Sequence, residues 1–88
     1  MMGNEKAKTL LKVEILTPEG PLYQGNAQAV TAVNNRGRFD ILPEHSRFIS
    51  IISGILIIHI TGDEVREFSI QRGVLRCVDN LVMIYLGV

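Results

Sequence analysis

The sequence predicts an all-β fold of nine short antiparallel strands, arranged as a sandwich or a small barrel. Three observations support this fold class. No window of ten or more residues places apolar side chains at spacings of three and four, so no amphipathic helix is expected. Alternating or β-branched runs of strand length recur along the chain. Glycine, proline, asparagine or aspartate separates these runs and provides a turn at each break.

The first four candidate strands are residues 10–16, 22–24, 27–33 and 38–41. The first alternates as LLKVEIL and ends at TPEGP, where proline and glycine favour a turn. The letters GN separate the second strand from the third. The segment NNRG separates the third from the fourth and is predicted to be a hairpin turn.

The other five candidates are residues 48–52, 55–60, 65–70, 74–78 and 81–86. They are separated by SG, TGDE, QRG and DN, and the segment LPEH precedes the first of them. Tight turns without a crossover helix favour antiparallel pairing throughout.

Length and composition limit the functions to consider. The 88 residues fit one domain, with residues 1–9 expected to be a flexible polar leader and residues 10–88 the sandwich, without a C-terminal helical hairpin. The formal net charge is zero, which gives no long-range attraction to nucleic acid or anionic lipid. The single cysteine, Cys77, excludes an internal disulfide. Its alternation with Arg76 predicts a small core residue.

Two candidate strands are apolar on both faces, which is unusual for half-buried antiparallel strands. In GILIIHI, Ile55 and Ile57 lie opposite a fully apolar face, and in LVMIYL the two faces are equally apolar. Either these strands lie deep in the domain or curl into a barrel, or a partner protein covers the second face. We expect Ile55, Ile57, Val82 and Ile84 to form part of a protein contact.

The segment RGRFDILPEHSRF places carboxylates beside His45 and raises the possibility of a hydrolytic or metal site. A hydrolase would need a nucleophile in a context such as GxSxG, which is absent from the sequence. A metal site needs three or four converging ligands, and His45 and His59 with scattered carboxylates are a weak signal. Pro43 instead predicts the end of a strand. We therefore expect no catalytic, cofactor-binding or metal-binding residue.

Several motifs together resemble the amino-terminal β-sandwich of the epsilon subunit of F-type ATP synthases, called delta in mitochondria. They are LKVEILTPEGPLYQG, RGRFDILPEH, GIL, FSIQRGVL and DNLVMI, in family order over nearly the whole chain. The resemblance implies two packed five-stranded sheets, and with the strand count above this gives an antiparallel β-sandwich of about nine to ten short strands in two sheets. It also implies a non-catalytic rotor subunit of the central stalk, without a cofactor, that couples ion translocation to ATP synthesis.

The implied partners are the gamma subunit and the c-ring, with the protein peripheral on the cytoplasmic side of the energy-transducing membrane. By resemblance, Thr17 and His45 lie at the gamma contact. The turn with Arg36, Gly37 and Arg38 lies near the c-ring. Relatives often carry acidic residues around this glycine, so the two arginines imply a reversed charge at the ring contact.

A small β-barrel that binds nucleic acid or another ligand is the alternative. Three arginines, Arg36, Arg38 and Arg47, and five aromatic residues give it slight support. Stacking platforms need aromatic side chains along one exposed face, whereas the five aromatic residues are spread over five candidate strands. Protein docking is therefore the favoured interpretation.

Overall fold

The protein is a seven-stranded β-structure, described by a computed structural model for residues 9–44 and 47–87. The strands are β1 (Leu11–Thr17), β2 (Gly20–Ala27), β3 (Ala29–Asn34), β4 (Gly37–Ile41), β5 (Phe48–His59), β6 (Val65–Val78) and β7 (Leu81–Leu86). Within these two ranges there is no helix long and apolar enough to cross a membrane. Residues 1–8 of the predicted leader lie outside the described residues.

The strands form one sheet in the order β2-β1-β7-β6-β5-β3-β4. Five of the six neighbouring pairs are antiparallel, as predicted, but β1 and β7 pair in parallel. The parallel pair joins the first strand of the chain to the last. Tight turns, the basis of the antiparallel prediction, cannot report on such a long-range pairing.

The sheet changes direction in the middle of its two longest strands. Pairing between β5 and β6 shifts register between Ile52 and Gly54, where a bulge bends the strands. Gly54 has a positive φ of 85°, a conformation that glycine adopts without a steric penalty. On β6, a Cβ on Gly73 would lie 2.9 Å from the backbone oxygen of Tyr85. Glycine therefore permits both the bend and the close strand approach.

Because of this bend, β5 and β6 each contribute to two layers. The first layer contains β2, β1, β7, residues 73–78 of β6 and residues 48–52 of β5. The second layer contains residues 65–70 of β6, residues 54–59 of β5, β3 and β4. Nine strand segments in two layers thus arise from seven strands.

Aromatic pairs join strands that are not neighbours in the sheet. Tyr23 of β2 meets Phe68 of β6 edge to face, with ring centroids 6.4 Å apart. Phe39 of β4 meets Phe48 of β5 in the same way at 5.3 Å. These contacts close the two layers over a common core, whose buried members are Leu11, Val13, Ile15, Ala27, Val30, Ala32, Ile41, Ile52, Leu56, Ile58, Leu75, Cys77, Val82 and Ile84.

The predicted all-β sandwich is confirmed, with two corrections to its details. The nine predicted strands are seven, because residues 48–52 and 55–60 fall largely on β5, and residues 65–70 and 74–78 both lie on β6. The two sheets are layers of one continuous mixed sheet. The letters SG and QRG, interpreted as turns, mark the bulge instead. The prediction that Cys77 is a core residue is confirmed.

Candidate docking surface

The outer face of the first layer carries a continuous row of apolar side chains. Strand pairing places Ile51 opposite Val74, Val74 opposite Tyr85, and Tyr85 opposite Leu16. Directly paired residues point to the same side of a sheet, so these four side chains form one row across four strands. We call Leu16, Ile51, Val74 and Tyr85 the apolar row.

The adjacent row alternates apolar and charged residues. Ile49 pairs with Arg76, Arg76 with Met83, and Met83 with Glu14. Ile49 and Ile51 have 67% and 54% of their surface exposed, which is high for isoleucine side chains on a sheet. An apolar row bordered by charged side chains is typical of a surface that is soluble when free and can dock a partner.

The structure corrects the predicted contribution of β7 to a protein contact. Val82 and Ile84 have no exposed surface and belong to the core. The outer face of β7 instead carries Leu81, Met83 and Tyr85. Because both faces of this strand are apolar, the sequence could not distinguish the inward face from the outward face.

Ile55 and Ile57 lie on the outer face of the second layer, away from the apolar row. Ile55 is half-buried, and Ile57 keeps 9% of its surface exposed. Their role in a protein contact stays a prediction. The strongly exposed isoleucines of β5, Ile49 and Ile51, belong to the segment before the bend. Sequence reasoning missed them, although the alternation of residues 48–52 places both on one face.

Thr17 closes the turn between β1 and β2. Its hydroxyl donates to the backbone oxygen of Gly20 at 2.9 Å and accepts from the backbone N–H of Glu19 at 3.2 Å. The hydroxyl therefore fixes the turn that follows Leu16 of the apolar row. Its predicted partner contact would have to use surface other than these hydrogen-bonding atoms.

The polar corner after β4 is attached to the hairpin between β6 and β7. The side-chain oxygen of Asn80 accepts from the backbone N–H of Glu44 at 2.7 Å, and its amide donates to the Glu44 carboxylate at 3.2 Å. Asp79 and Asn80 both have positive φ, as in a two-residue type I′ hairpin turn. His45, the predicted gamma contact at this corner, lies outside the described residues.

The predicted ring-contact residues cluster at the turn between β3 and β4. Asn34 pairs with Gly37 across this turn, which confirms the hairpin predicted from NNRG. The Asn34 side chain accepts from the backbone N–H of Arg36 at 2.8 Å and donates to the hydroxyl of Ser50 at 3.2 Å. Arg36, Gly37 and Arg38 are exposed. The turn is thereby tied to the first layer.

A buried threonine links an acid and a histidine on the outer face of the second layer. Thr31, with 3% exposure, donates its hydroxyl proton to Asp40 at 2.6 Å. Its oxygen lies 2.8 Å from Nε2 of His59. Because the hydroxyl has one proton and Asp40 accepts it, the Thr31–His59 contact is a hydrogen bond in the tautomer that carries its hydrogen on Nε2.

This network joins three strands instead of forming a nucleophile and base. A catalytic histidine would have to accept the hydroxyl proton, whereas here the hydroxyl donates to Asp40. The sequence did not indicate the network because Thr31, Asp40 and His59 meet only through pairing across β3, β4 and β5. In the described part of the chain, no group of three or more acidic, histidine or cysteine residues could hold a metal.

Comparison with known proteins identifies similar sequences in one family. Residues 10–86 match the family described as the ATP synthase delta/epsilon chain, β-sandwich domain. The ATP synthase epsilon chain of Sulfurimonas denitrificans is 36% identical over 75 residues, which cover 84% of this chain and 58% of that protein. The epsilon chain of a Nitratiruptor species is 32% identical over 71 residues, covering 80% and 55% respectively. The chain therefore spans little more than half the length of these curated relatives.

Solved structures share the fold at low sequence identity. A chain of the Euglena gracilis mitochondrial ATP synthase, in a structure of its OSCP, F1 and c-ring, has a TM-score of 0.81 at 19% identity. The match covers 98% of this chain and 56% of that one. A chain from the central stalk and c-ring of the Tetrahymena thermophila mitochondrial ATP synthase has a TM-score of 0.72 at 21% identity, covering 90% and 64%.

Proposed function

The chain belongs to the delta/epsilon-chain β-sandwich family of ATP synthase, and we propose that it serves as a non-catalytic subunit of the central stalk. In this role it docks between the gamma subunit and the c-ring and helps couple ion translocation to ATP synthesis. It is peripheral to the membrane, on its cytoplasmic side, and reaches the membrane through the complex. The function is mechanical and uses no cofactor.

The observation that carries this proposal is the apolar row with its exposed neighbour Ile49. Covering a half-exposed isoleucine removes apolar surface worth roughly 1 kcal/mol. Several such side chains side by side therefore provide a driving force that exceeds what one scattered residue can supply, before the cost of association is subtracted. Arg76 and Glu14 in the adjacent row provide charges that can fix the orientation of a partner.

We assign gamma to the outer face of the first layer. Thr17 follows the apolar row on β1, and Glu44, next to His45, is attached to the hairpin that begins β7. Thr17 and Glu44 are thus linked to the same layer as Ile49 and Ile51. The alternative is a contact through Ile55 and Ile57 on the second layer, where less apolar surface is accessible.

We assign the c-ring to the exposed turn with Arg36, Gly37 and Arg38. Asn34 connects this turn to Ser50 on β5, so force on the turn reaches the first layer through a direct hydrogen bond. Two arginines at the turn favour an acidic partner surface. The ring loops of this synthase are accordingly expected to carry a carboxylate where relatives with an acidic turn would need a basic residue.

The test compares Ile51→Asp with Val65→Asp, because Ile51 and Val65 are 54% and 51% exposed but lie on different layers. Immobilised gamma subunit from the same organism captures the full chain, and surface plasmon resonance gives the dissociation constant. Ile51→Asp is expected to weaken binding at least tenfold, whereas Val65→Asp retains the wild-type affinity. Circular dichroism confirms that both variants are folded. Equal affinities for the two variants would contradict the assignment.

Nucleic-acid binding is the alternative function, and the aromatic residues argue against it. Four of the five aromatic side chains pair with one another between the layers and therefore do not form a row of exposed rings on which bases could stack. Arg66 lies over the Tyr23 ring at 5.8 Å, which further covers that ring. Binding to single-stranded DNA that weakens steeply with salt would revive this alternative.

A further inference from the structure

A cavity of about 320 Å³ opens at the edge of the sandwich, between β4 and the first layer. Its apolar surface comes from Phe39 and Ile41 of β4, Phe48 of β5 and Cys77 of β6. The rings of Phe39 and Phe48 meet edge to face inside this region, and Phe48 keeps part of its surface exposed. The cavity therefore offers an apolar surface that is reachable from solvent.

The cysteine at the cavity adds no charge to its floor. Cys77 is a free, buried cysteine, and burial raises the pKa of its thiol because desolvation disfavours the thiolate. The thiol is therefore neutral at pH 7. A neutral thiol beside aromatic and aliphatic side chains behaves as another apolar surface.

The rim of the same cavity is basic. Arg36, in the turn before β4, lines it, and among the described residues it forms no ion pair. Arg38 and Asp40 point to the outer face of β4, opposite Phe39 and Ile41, because side chains alternate along a strand and Asp40 meets Thr31 there. Guanidinium groups remain charged at all accessible pH values. An apolar floor beside the unpaired guanidinium of Arg36 complements a molecule with an apolar body and an anionic head.

We propose that this cavity is a binding site for a small amphiphilic anion, a carboxylate on an apolar chain of about eight carbons. The cavity volume of about 320 Å³ favours a short chain of this kind over a bulky ligand. This volume lies at the lower end of ligand pockets, which begin at roughly 300 Å³. A ligand of this size binds with a dissociation constant of about 1 mM. The inference does not depend on the proposed docking function.

Isoleucine-methyl NMR of the full chain can test the site with octanoate as the probe. Octanoate is expected to shift the Ile41 methyl signal in a saturable manner, because Ile41 lines the cavity. The Ile51 signal, from the outer face, is expected to remain unchanged and serves as an internal control. Octylamine, with the same chain length and a positive head, is expected to bind at least fivefold more weakly. The reaction of Cys77 with a thiol reagent is expected to slow with the same midpoint.

The variant R36Q tests the basic rim without altering the floor. It is expected to weaken octanoate binding at least fivefold and to leave the response to neutral octanol unchanged. An Ile41 signal that stays fixed up to roughly 10 mM octanoate would overturn the proposal. Equal binding of octylamine, unchanged octanoate binding by the variant, or a shift at Ile51 instead of Ile41 would do the same. The NMR experiment contains no other synthase subunit, so a negative octanoate result does not bear on the docking proposal. A negative gamma-binding result likewise does not bear on octanoate binding.

Discussion

Shortening Ile84 and Ile49 in parallel tests which face of the sheet is the core. Ile84 has no exposed surface, whereas Ile49 has 67% of its surface exposed. Ile84→Ala removes three buried carbons, worth about 2.4 kcal/mol in transfer free energy, and the remaining cavity brings the expected cost to about 2–5 kcal/mol. Ile49→Ala is expected to cost less than about 1 kcal/mol, because water already covers most of the side chain.

Urea denaturation followed by circular dichroism measures both free energies of unfolding. A domain of this length has a total stability of about 4–13 kcal/mol, so Ile84→Ala could leave too little folded protein for a reliable measurement. Ile84→Val, with an expected cost of about 0.5–1.5 kcal/mol, compared with Ile49→Val, with an expected cost of less than about 0.5 kcal/mol, keeps the comparison measurable. Equal losses at the two positions, or a larger loss at Ile49, would refute the assignment of the faces.

Three further predictions concern hydrogen bonds and the buried thiol. Thr31→Val removes the hydroxyl that joins Asp40 to His59, so we expect a loss of about 1–2 kcal/mol in unfolding free energy and a change in the ¹⁵N shifts of the His59 ring. Asn80→Gly retains the positive φ but loses both bonds to Glu44; a cost of about 1 kcal/mol is expected, and a similar cost for Asp79→Gly would contradict this reason. Burial raises the pKa of the Cys77 thiol in the folded protein, whereas the thiol of the unfolded chain has a pKa of about 8.5. As pH rises, the unfolded chain therefore loses this proton first, and the free energy of unfolding falls between about pH 8.5 and the folded pKa. The stability difference between wild type and C77A should therefore shrink between pH 7 and pH 10, and a constant difference would contradict it.

The sequence predicted strand content well because each strand has a local signal. Alternation and turn residues identified nine strand segments, and all nine correspond to segments of the two layers. Whether two consecutive segments form one continuous strand or are separated by a turn was less predictable. Glycine and serine at residues 53–54 suggested a turn, yet the chain continues through a bulge. A bulge and a turn use the same residue types, and long-range pairing decides between them.

The docking surface was less predictable, because it depends on which strands pair and on which side of the sheet each side chain points to. Val82 and Ile84 have the same apolar character as their neighbours Leu81, Met83 and Tyr85, and packing against the second layer determines that Val82 and Ile84 face inward. The network of Thr31, Asp40 and His59 required three strands in register. The turn with Arg36 was predictable, since asparagine and glycine favour a hairpin locally.

The most direct measurement of the central claim is cross-saturation from unlabelled gamma subunit to the isoleucine methyl groups of this chain. Gamma docked on the outer face of the first layer should saturate Ile49 and Ile51, whose side chains are exposed there, and leave the signals of Ile55 and Ile57 unchanged. Signal loss at Ile55 and Ile57 without signal loss at Ile49 and Ile51 would contradict the account. So would the absence of any signal loss at gamma concentrations that are sufficient for gamma to bind its known partners fully.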